Sequence, residues 1–232
     1  KTENKSNEIK AIPQLLEVLE IKGCVVSIDA AGCQKKIAKQ ITDKGGEYVL
    51  GVKRNQKELY KFIKDFMATA HADDFNGIPY DYDENTDGGH GRVEVRRCWL
   101  VNQFLDDPST KGWSDLNGIA MVECERHVGE KTSVTRRFFI TSMMDSAKAV
   151  ARAIRGHWGI ENRLHWCLDV SFREDDCRVR QGFAAENFAV IRHIALNLLK
   201  RNKRFKAGVK GKRLAAGWDN DYLLEVLAGS NI

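Results

Sequence analysis

Two short runs, CVVSIDA at 24–30 and EYVLGVK at 47–53, limit what this chain can fold into. Each is rich in apolar and β-branched residues with little polar alternation, the pattern of a strand covered on both faces. Helical periodicity surrounds both. EIKAIPQLLEVLEIKG sets Ile12, Leu15, Leu16 and Leu19 at helical spacing and stops at Gly23, CQKKIAKQITDKGG closes on glycines, and NQKELYKFIKDFMATAH carries Asn55 and Glu58 at capping-box spacing. Helix, strand, helix, strand, helix is the rhythm of an α/β sheet with parallel neighbours. The first run ends on Asp29, whose carboxylate is expected at the carboxyl edge of the sheet, where open α/β sheets hold ligands. The plain alternative is that Asp29 only begins the turn into the next helix.

After His71 the character changes. ADDFNGIPYDYDENTDGGHGR is acidic, contains glycine and lacks periodicity, and reads as a long loop or the start of an insertion. RVEVRRCWLV, NGIAMVECERHV and TSVTRRFFITS then read as three strands of an antiparallel meander, with VGEK a tight connection between the last two. Helical character returns from Ala147 through Trp166. FAAENFAVIRHIALNLLKRNK is an amphipathic helix with Phe188, Ile191, Ala195 and Leu198 expected on its buried face.

With 232 residues and 43% hydrophobic content the chain can bury a sizeable core. No apolar run approaches the roughly 20 residues of a membrane span, and KTENKSNEIK has no signal-peptide core, so the cytoplasm is the expected location and no membrane partner is expected. The six cysteines show no CxxC pair and no zinc-like spacing, which points to reduced, mostly buried thiols. The net charge of +5 is modest, but from Lys200 to Arg213 the chain is dense in Lys and Arg and free of acids. Lys200, Arg201, Lys203 and Arg204 open that stretch, which suits phosphates or serves as a solvated tail.

The segment RGHWGIENRLHWCLDVSFREDD, from Arg155 to Asp176, concentrates groups that can do chemistry. If it is helical, Glu161, His165 and Asp169 lie on one stripe, with Trp158 one turn before the glutamate. A carboxylate beside apolar surface needs a cation or a metal to stay charged. Spacing alone favours a salt bridge from Glu161 to Arg155 or Arg163. His157 and His165 could be ligands but, two turns apart, better suit a hydrogen-bonded polar cluster, and Glu174, Asp175 and Asp176 could join a metal site but better suit a solvated turn. Asn162 and Arg163 suit phosphate contact or an exposed polar face equally.

SIDAAGCQKKIAKQI, YVLGVKRNQKELY, HGRVEVRR and RGHWGIENRLHWCLDVSFREDDCRVR, in this order, resemble the ISAs1-family insertion-sequence transposases, a group that includes the H-repeat-associated proteins. The resemblance runs nearly end to end and implies a DDE transposase. Such enzymes have a ribonuclease H-like core in which two aspartates and a glutamate bind Mg²⁺ or Mn²⁺. Asp29 would be the second acid and Glu161 the third, catalytic and metal-binding alike. The first acid would lie on an earlier strand, and a chain that opens at Lys1 without Met is expected to be a C-terminal fragment, inactive alone. The implied organisation is an α/β core, incomplete at its N-terminus, in residues 1–71, a β-rich insertion in 72–144, and core completion with a basic helical region in 145–232. The implied partner is DNA, both transposon ends and target, with a homodimer as the expected assembly. Lys53, Arg54 and Asn55, at a strand end near Asp29, are candidates for holding substrate phosphates, and the basic stretch from Lys200 would extend the track. The tyrosine, arginine and lysine that accompany the glutamate in many related transposases would fall on Ile154, His157 and Leu168, so that signature is absent here. The competing reading is an inactive DNA-binding remnant of an insertion sequence. A glycosidase-like pair of carboxylates is disfavoured by the lack of a row of aromatics for a sugar cleft.

Overall fold

The computed structural model describes residues 8–89, 91–103, 106–160 and 164–229. Helix α1 (Glu8–Val18), strand β1 (Val25–Ile28), helix α2 (Lys35–Asp43), strand β2 (Glu47–Val52) and helix α3 (Lys57–Ala72) follow in the expected order. β1 and β2 pair in parallel, from Val25 opposite Glu47 to Ile28 opposite Leu50. The apolar run of β2 is explained by cover on both faces. Tyr48, Leu50 and Val52 enter a core layer with Ile37 and Ile41 of α2 and Ile63 and Met67 of α3, while Val49 enters a second layer.

The later strands join the same sheet. β4 (Arg92–Val101), β5 (Gly118–Val128) and β6 (Lys131–Thr141) form the expected meander, and its last turn uses Gly129 at φ 57°. β6 returns to pair antiparallel with β2, which with β3 (Asp81–Gly89) at the far edge gives the strand order β1-β2-β6-β5-β4-β3. Side chains staple that junction: the Thr141 hydroxyl donates to the Tyr48 carbonyl at 2.8 Å, and the Tyr48 amide donates to Ser142 Oγ at 2.8 Å.

One element departs from the sequence expectation. Part of the supposed acidic loop is strand β3 (Asp81–Gly89), paired with β4 from Asp81 opposite Leu100 to Gly89 opposite Arg92. The reason lies across the ladder, where cross-strand pairs replace hydrophobic alternation. Arg97 binds Glu84 at 3.0 Å and Glu125 at 2.8 Å, and the Tyr82 ring lies 5.4 Å from Trp99. On the opposite face, helix α4 (Ala147–Ile160) lays Ala147, Val150 and Ile154 onto Val49, Cys98, Leu100 and Ala120.

Residues 2–157 form one compact unit and residues 158–232 a second. The second holds α5 (Trp166–Phe172), α6 (Ala184–Arg201), α7 (Val209–Trp218) and α8 (Asn220–Ala228). Its core is small: Leu199, Ala216, Tyr222 and Val226, with Phe172 and Leu198 packed against them. The α6 face differs from the expected one, because Leu196 and Leu199 are its buried residues while Phe188 and Ile191 are exposed. A helical stripe fixes which residues share a face but not which face meets a neighbour, and here α6 turns the Leu196–Leu199 side inward.

None of the six cysteines forms a disulfide. Among the described residues no helix is long and apolar enough to cross a membrane.

Candidate active site

β1 delivers Asp29 to the carboxyl edge of the parallel pair. There Asp29 caps a single turn of 3-10 helix (Ala30–Gly32), its Oδ1 accepting from the amides of Ala31 at 3.0 Å and Gly32 at 3.4 Å. These bonds fix the exposed carboxylate in one orientation, and among the described residues its Oδ2 accepts no hydrogen bond. Asp29 thus starts the turn and also emerges at the sheet edge. Gly32 is required by close approach: a Cβ there would lie 2.3 Å from Ile28 Cγ2 and 2.9 Å from Ile12 Cδ1. Cys33 follows, fully buried, and burial together with the Asp29 charge pushes its thiol up to about 12. A thiol held protonated in this way is no nucleophile.

The turn from β2 to α3 carries Lys53, Arg54 and Asn55, all exposed. Asn55 does not cap α3 as its spacing suggested. Gln56 occupies the cap position without a side-chain bond, and the Asn55 amide instead donates to the Ala30 carbonyl. Gln56 Nε2 donates to the Cys33 carbonyl at 2.8 Å. Two side chains thus tie the basic turn to the Asp29 turn, a tertiary use of an amide that local spacing could not reveal. Gly51 sits beside them, where a Cβ would meet Ala30 N at 3.4 Å and Asp29 Cα at 3.8 Å. Lys53 and Arg54 make no ion pair among the described residues, which leaves two cations at the edge that bears Asp29.

Glu161, Asn162 and Arg163 lie outside the described residues. Their flanks are defined: α4 runs to Ile160 and α5 begins at Trp166, with His165 already in helical conformation at φ −57° and ψ −54°. Arg155, one of the partners that spacing offered to Glu161, binds Asp87 at 2.7 Å. Ile154 and Leu168 are buried, so the positions where related transposases carry tyrosine and lysine serve packing. Glu174 pairs with Arg192 at 3.3 Å in a part-buried contact and Asp176 with Arg173 at 3.6 Å on the surface, which accounts for two of the three acids after α5 as ion pairs.

The basic stretch after α6 divides into two uses. Lys200, Arg201, Lys203 and Arg204 are exposed, but Arg204 holds Glu225 at 2.6 Å. Lys212 is buried and donates to the carbonyls of Leu199 at 3.1 Å and Asn202, closing the C-terminal end of α6. Lys212 lies one helical turn before the buried Ala216 of α7, on the same inward face.

Asp29 offers a hard, oriented oxygen of the kind Mg²⁺ and Mn²⁺ prefer. It fits as one ligand of such an ion, but among the described residues no group of three acids, histidines or cysteines could hold a metal. A shallow groove between α3 and the 107–109 turn, lined by Phe62, Phe66, Ile78 and Asp107, contains none of the sequence-predicted residues.

A family model for the transposase DDE domain matches residues 1–198. Over the full length, the chain is 41% identical to the protein YbfL of Escherichia coli K12 and 41% identical to an H repeat-associated protein of the same strain, YhhI, named provisionally as a transposase. A protein of Escherichia coli O157:H7, YncI, also named provisionally as a transposase, is 41% identical over 98% of the chain. The chain spans 62% of the length of the first two relatives and 59% of the third.

Proposed function

The chain belongs to the transposase DDE domain family, and from that premise we propose that it forms most of the catalytic core of an insertion-sequence transposase that cuts and transfers DNA strands with a divalent metal. The observation that carries this reading is Asp29, set at the end of a parallel strand, oriented by two amides and tied through Asn55 to a turn bearing Lys53 and Arg54. In this reading β1 and β2 are part of a ribonuclease H-like sheet and residues 72–144 are an insertion that widens it. The outer edge of β1 has no strand partner among the described residues. A strand pairing there would bring a further carboxylate beside Asp29, which is how we account for the first acid of the triad.

Asp29 and Glu161 would hold Mg²⁺ or Mn²⁺, which when bound supplies Lewis-acid stabilisation of charge on phosphate oxygens. The chain's own residues do the rest. Lys53 and Arg54 neutralise the phosphate backbone and hold the scissile phosphodiester at the sheet edge, while Asn55 keeps that turn fixed against the Asp29 turn. Asn162 and Arg163, next to Glu161, add contacts to the same backbone, and Lys200, Arg201 and Lys203 lengthen the track, with Arg204 sharing its charge with Glu225. In the first reaction water attacks a phosphodiester at a transposon end and a 3′-hydroxyl leaves. In the second, that hydroxyl attacks a target phosphodiester and a new 3′-hydroxyl leaves. Pairing two transposon ends calls for a homodimer, and we place the reaction in the cytoplasm.

The test is incubation of the protein, as encoded in its gene, with Mn²⁺ and DNA carrying the terminal repeats of its insertion sequence. New 3′-hydroxyl ends are expected, lost in Asp29→Asn and Glu161→Gln. DNA bound but left uncut would identify an inactive DNA-binding remnant, and cleavage indifferent to both substitutions would refute the assignment of the two carboxylates.

A further inference from the structure

β4, β5 and β6 run on past the carboxyl edge of the parallel pair. β2 ends at Val52 opposite Phe138, so β6 from Arg137 back to Lys131, with the strands paired to it, projects beyond the turn that carries Lys53 and Arg54. At about 3.4 Å per residue this arm is roughly 20 Å long. Its two faces carry different charge. Strand alternation puts Arg97, Glu123, Glu125, His127 and Arg136 on the side of Trp99 and Met121, where acid and base are matched: Arg97 binds Glu123 at 3.2 Å and Glu125 at 2.8 Å, and Arg136 binds Glu123 at 2.7 Å. The side shared with Cys98 and Ala120 carries Arg92, Arg96, Arg126, Lys131 and Arg137, and among the described residues of these three strands Glu94 is its only acid.

Glu94 is buried and gathers three guanidiniums: Arg96 by a direct hydrogen bond, Arg126 at 3.1 Å and Arg92 at 3.4 Å. β3 sets Asp87 opposite Glu94, but the Asp87 carboxylate is taken by Arg155 of α4 at 2.7 Å, with Arg96 Nη1 3.9 Å away; Asp83 stands opposite Cys98, at the base of the arm. Arg96 Nη1 is buried and donates no hydrogen bond among the described residues. Burial, and then the Arg155 charge, lower the Arg96 pKa from its ordinary range. Glu94 and Asp87 thus face four arginines. A single bidentate arginine would fill both oxygens of Glu94, and like charges set opposite one another weaken a sheet. Pairing within the fold therefore does not explain the surplus. The side chains of Arg92 and Arg126 stay 50% and 45% exposed, open to a further anion.

We propose that this face of the arm is a second DNA contact: Arg92, Arg96 and Arg126, held together by Glu94, and Arg137, next to the Lys53 and Arg54 turn, bind phosphates of the duplex flanking the Asp29 edge. This rests on the reading of the chain as acting on DNA. Charge complementarity selects the partner, because a preorganised row of guanidiniums matches a chain of phosphodiesters. Between its cations the face presents Val128, Ser133 and Thr135, and among the described residues no exposed aromatic on which a base could stack. It therefore holds the backbone and reads no sequence. A membrane surface would call for exposed Trp, Phe or Leu beside the cations, and the described residues of this face offer none.

The experiment is fluorescence anisotropy of a labelled DNA duplex of arbitrary sequence, titrated with the chain over a range of NaCl concentrations, with circular dichroism to confirm that each variant is folded. Arg92→Gln and Arg126→Gln should each weaken binding several-fold and reduce the slope of log affinity against log salt by about 0.9. Arg126→Lys keeps the charge and should keep the slope. Lys64→Gln, on the exposed side of α3 across the sheet, removes the same charge and should leave affinity and slope unchanged. Parent-like binding in both glutamine variants of the arm overturns the proposal; if Lys53→Gln and Arg54→Gln still weaken binding, the DNA reading stands without it. A parent that binds no duplex at the lowest salt removes the DNA reading itself, and the proposal with it. Phosphatidylserine vesicles bound through Arg92 and Arg126 while the duplex is not would make the arm a membrane contact and overturn the proposal as well.

Discussion

The sheet unit and the helical unit are built on opposite principles. In residues 2–157 two core layers sandwich β2 and bury residues such as Leu50, Ile63, Met67 and Ile140 completely. In residues 158–232 the buried apolar residues among those described are few, Leu168, Leu196, Leu199, Ala216, Tyr222 and Val226, while Phe183 stays 76% exposed and Trp218 83% exposed. The helices there depend on polar staples: Lys212 on the end of α6, and Asn202 and Arg204 on Glu225 of α8. A unit held by burial tolerates loss of a surface charge, and a unit held by staples does not.

The comparison can be pressed from either side. Ile140→Ala removes a fully buried side chain from the middle of the sheet and should cost the sheet unit about 2–5 kcal/mol in urea unfolding. A loss under about 1 kcal/mol would mean the core layers are looser than the burial indicates. Lys212→Met takes a buried donor from two carbonyls and should cost about 1–3 kcal/mol. Hydrogen exchange should show that loss in α6 and α7 while β2 and β6 keep their protection; equal loss in the sheet would erase the distinction between the units.

Acid gives the smallest and most selective test. Arg97 holds the Glu125 carboxyl below the usual range in the sheet unit, and Arg204, with help from Asn202, does the same to Glu225 in the helical unit. A carboxyl whose folded value is depressed stabilises the fold above its unfolded value of about 4.3, and that contribution disappears as pH falls through the folded value. Both units should therefore weaken below about pH 4.3. Arg97→Gln should flatten the acid dependence of the sheet unit only, and Arg204→Gln that of the helical unit only, as read by exchange between pH 5 and pH 3. A substitution that flattens both would show that the units share one electrostatic balance.

The parallel pair, its three helices and the meander were legible because their residues repeat at strand or helix period over whole elements. β3 was not, since DYDENTDGG has no apolar face and becomes a strand only when Arg97 and Trp99 of β4 are opposite it. The buried side of α6 was misread because the sequence offers apolar residues around more than one face, and only the packing against Tyr222 and Val226 selects among them. At the site, Asp29 could be found from its place at the end of an apolar run. The tie from Asn55 to the Ala30 carbonyl could not, because the two residues meet only through the pairing of β1 with β2. The Arg155–Asp87 pair escaped for the same reason, since its two residues lie 68 apart along the chain.

The most direct test of the central claim is Mn²⁺ binding by titration calorimetry, comparing the parent chain with Asp29→Asn and Glu161→Gln. If Asp29 and Glu161 are metal ligands as proposed, each substitution weakens binding by about tenfold or more. Binding of the same strength in the parent and in both variants would contradict the proposed roles of Asp29 and Glu161.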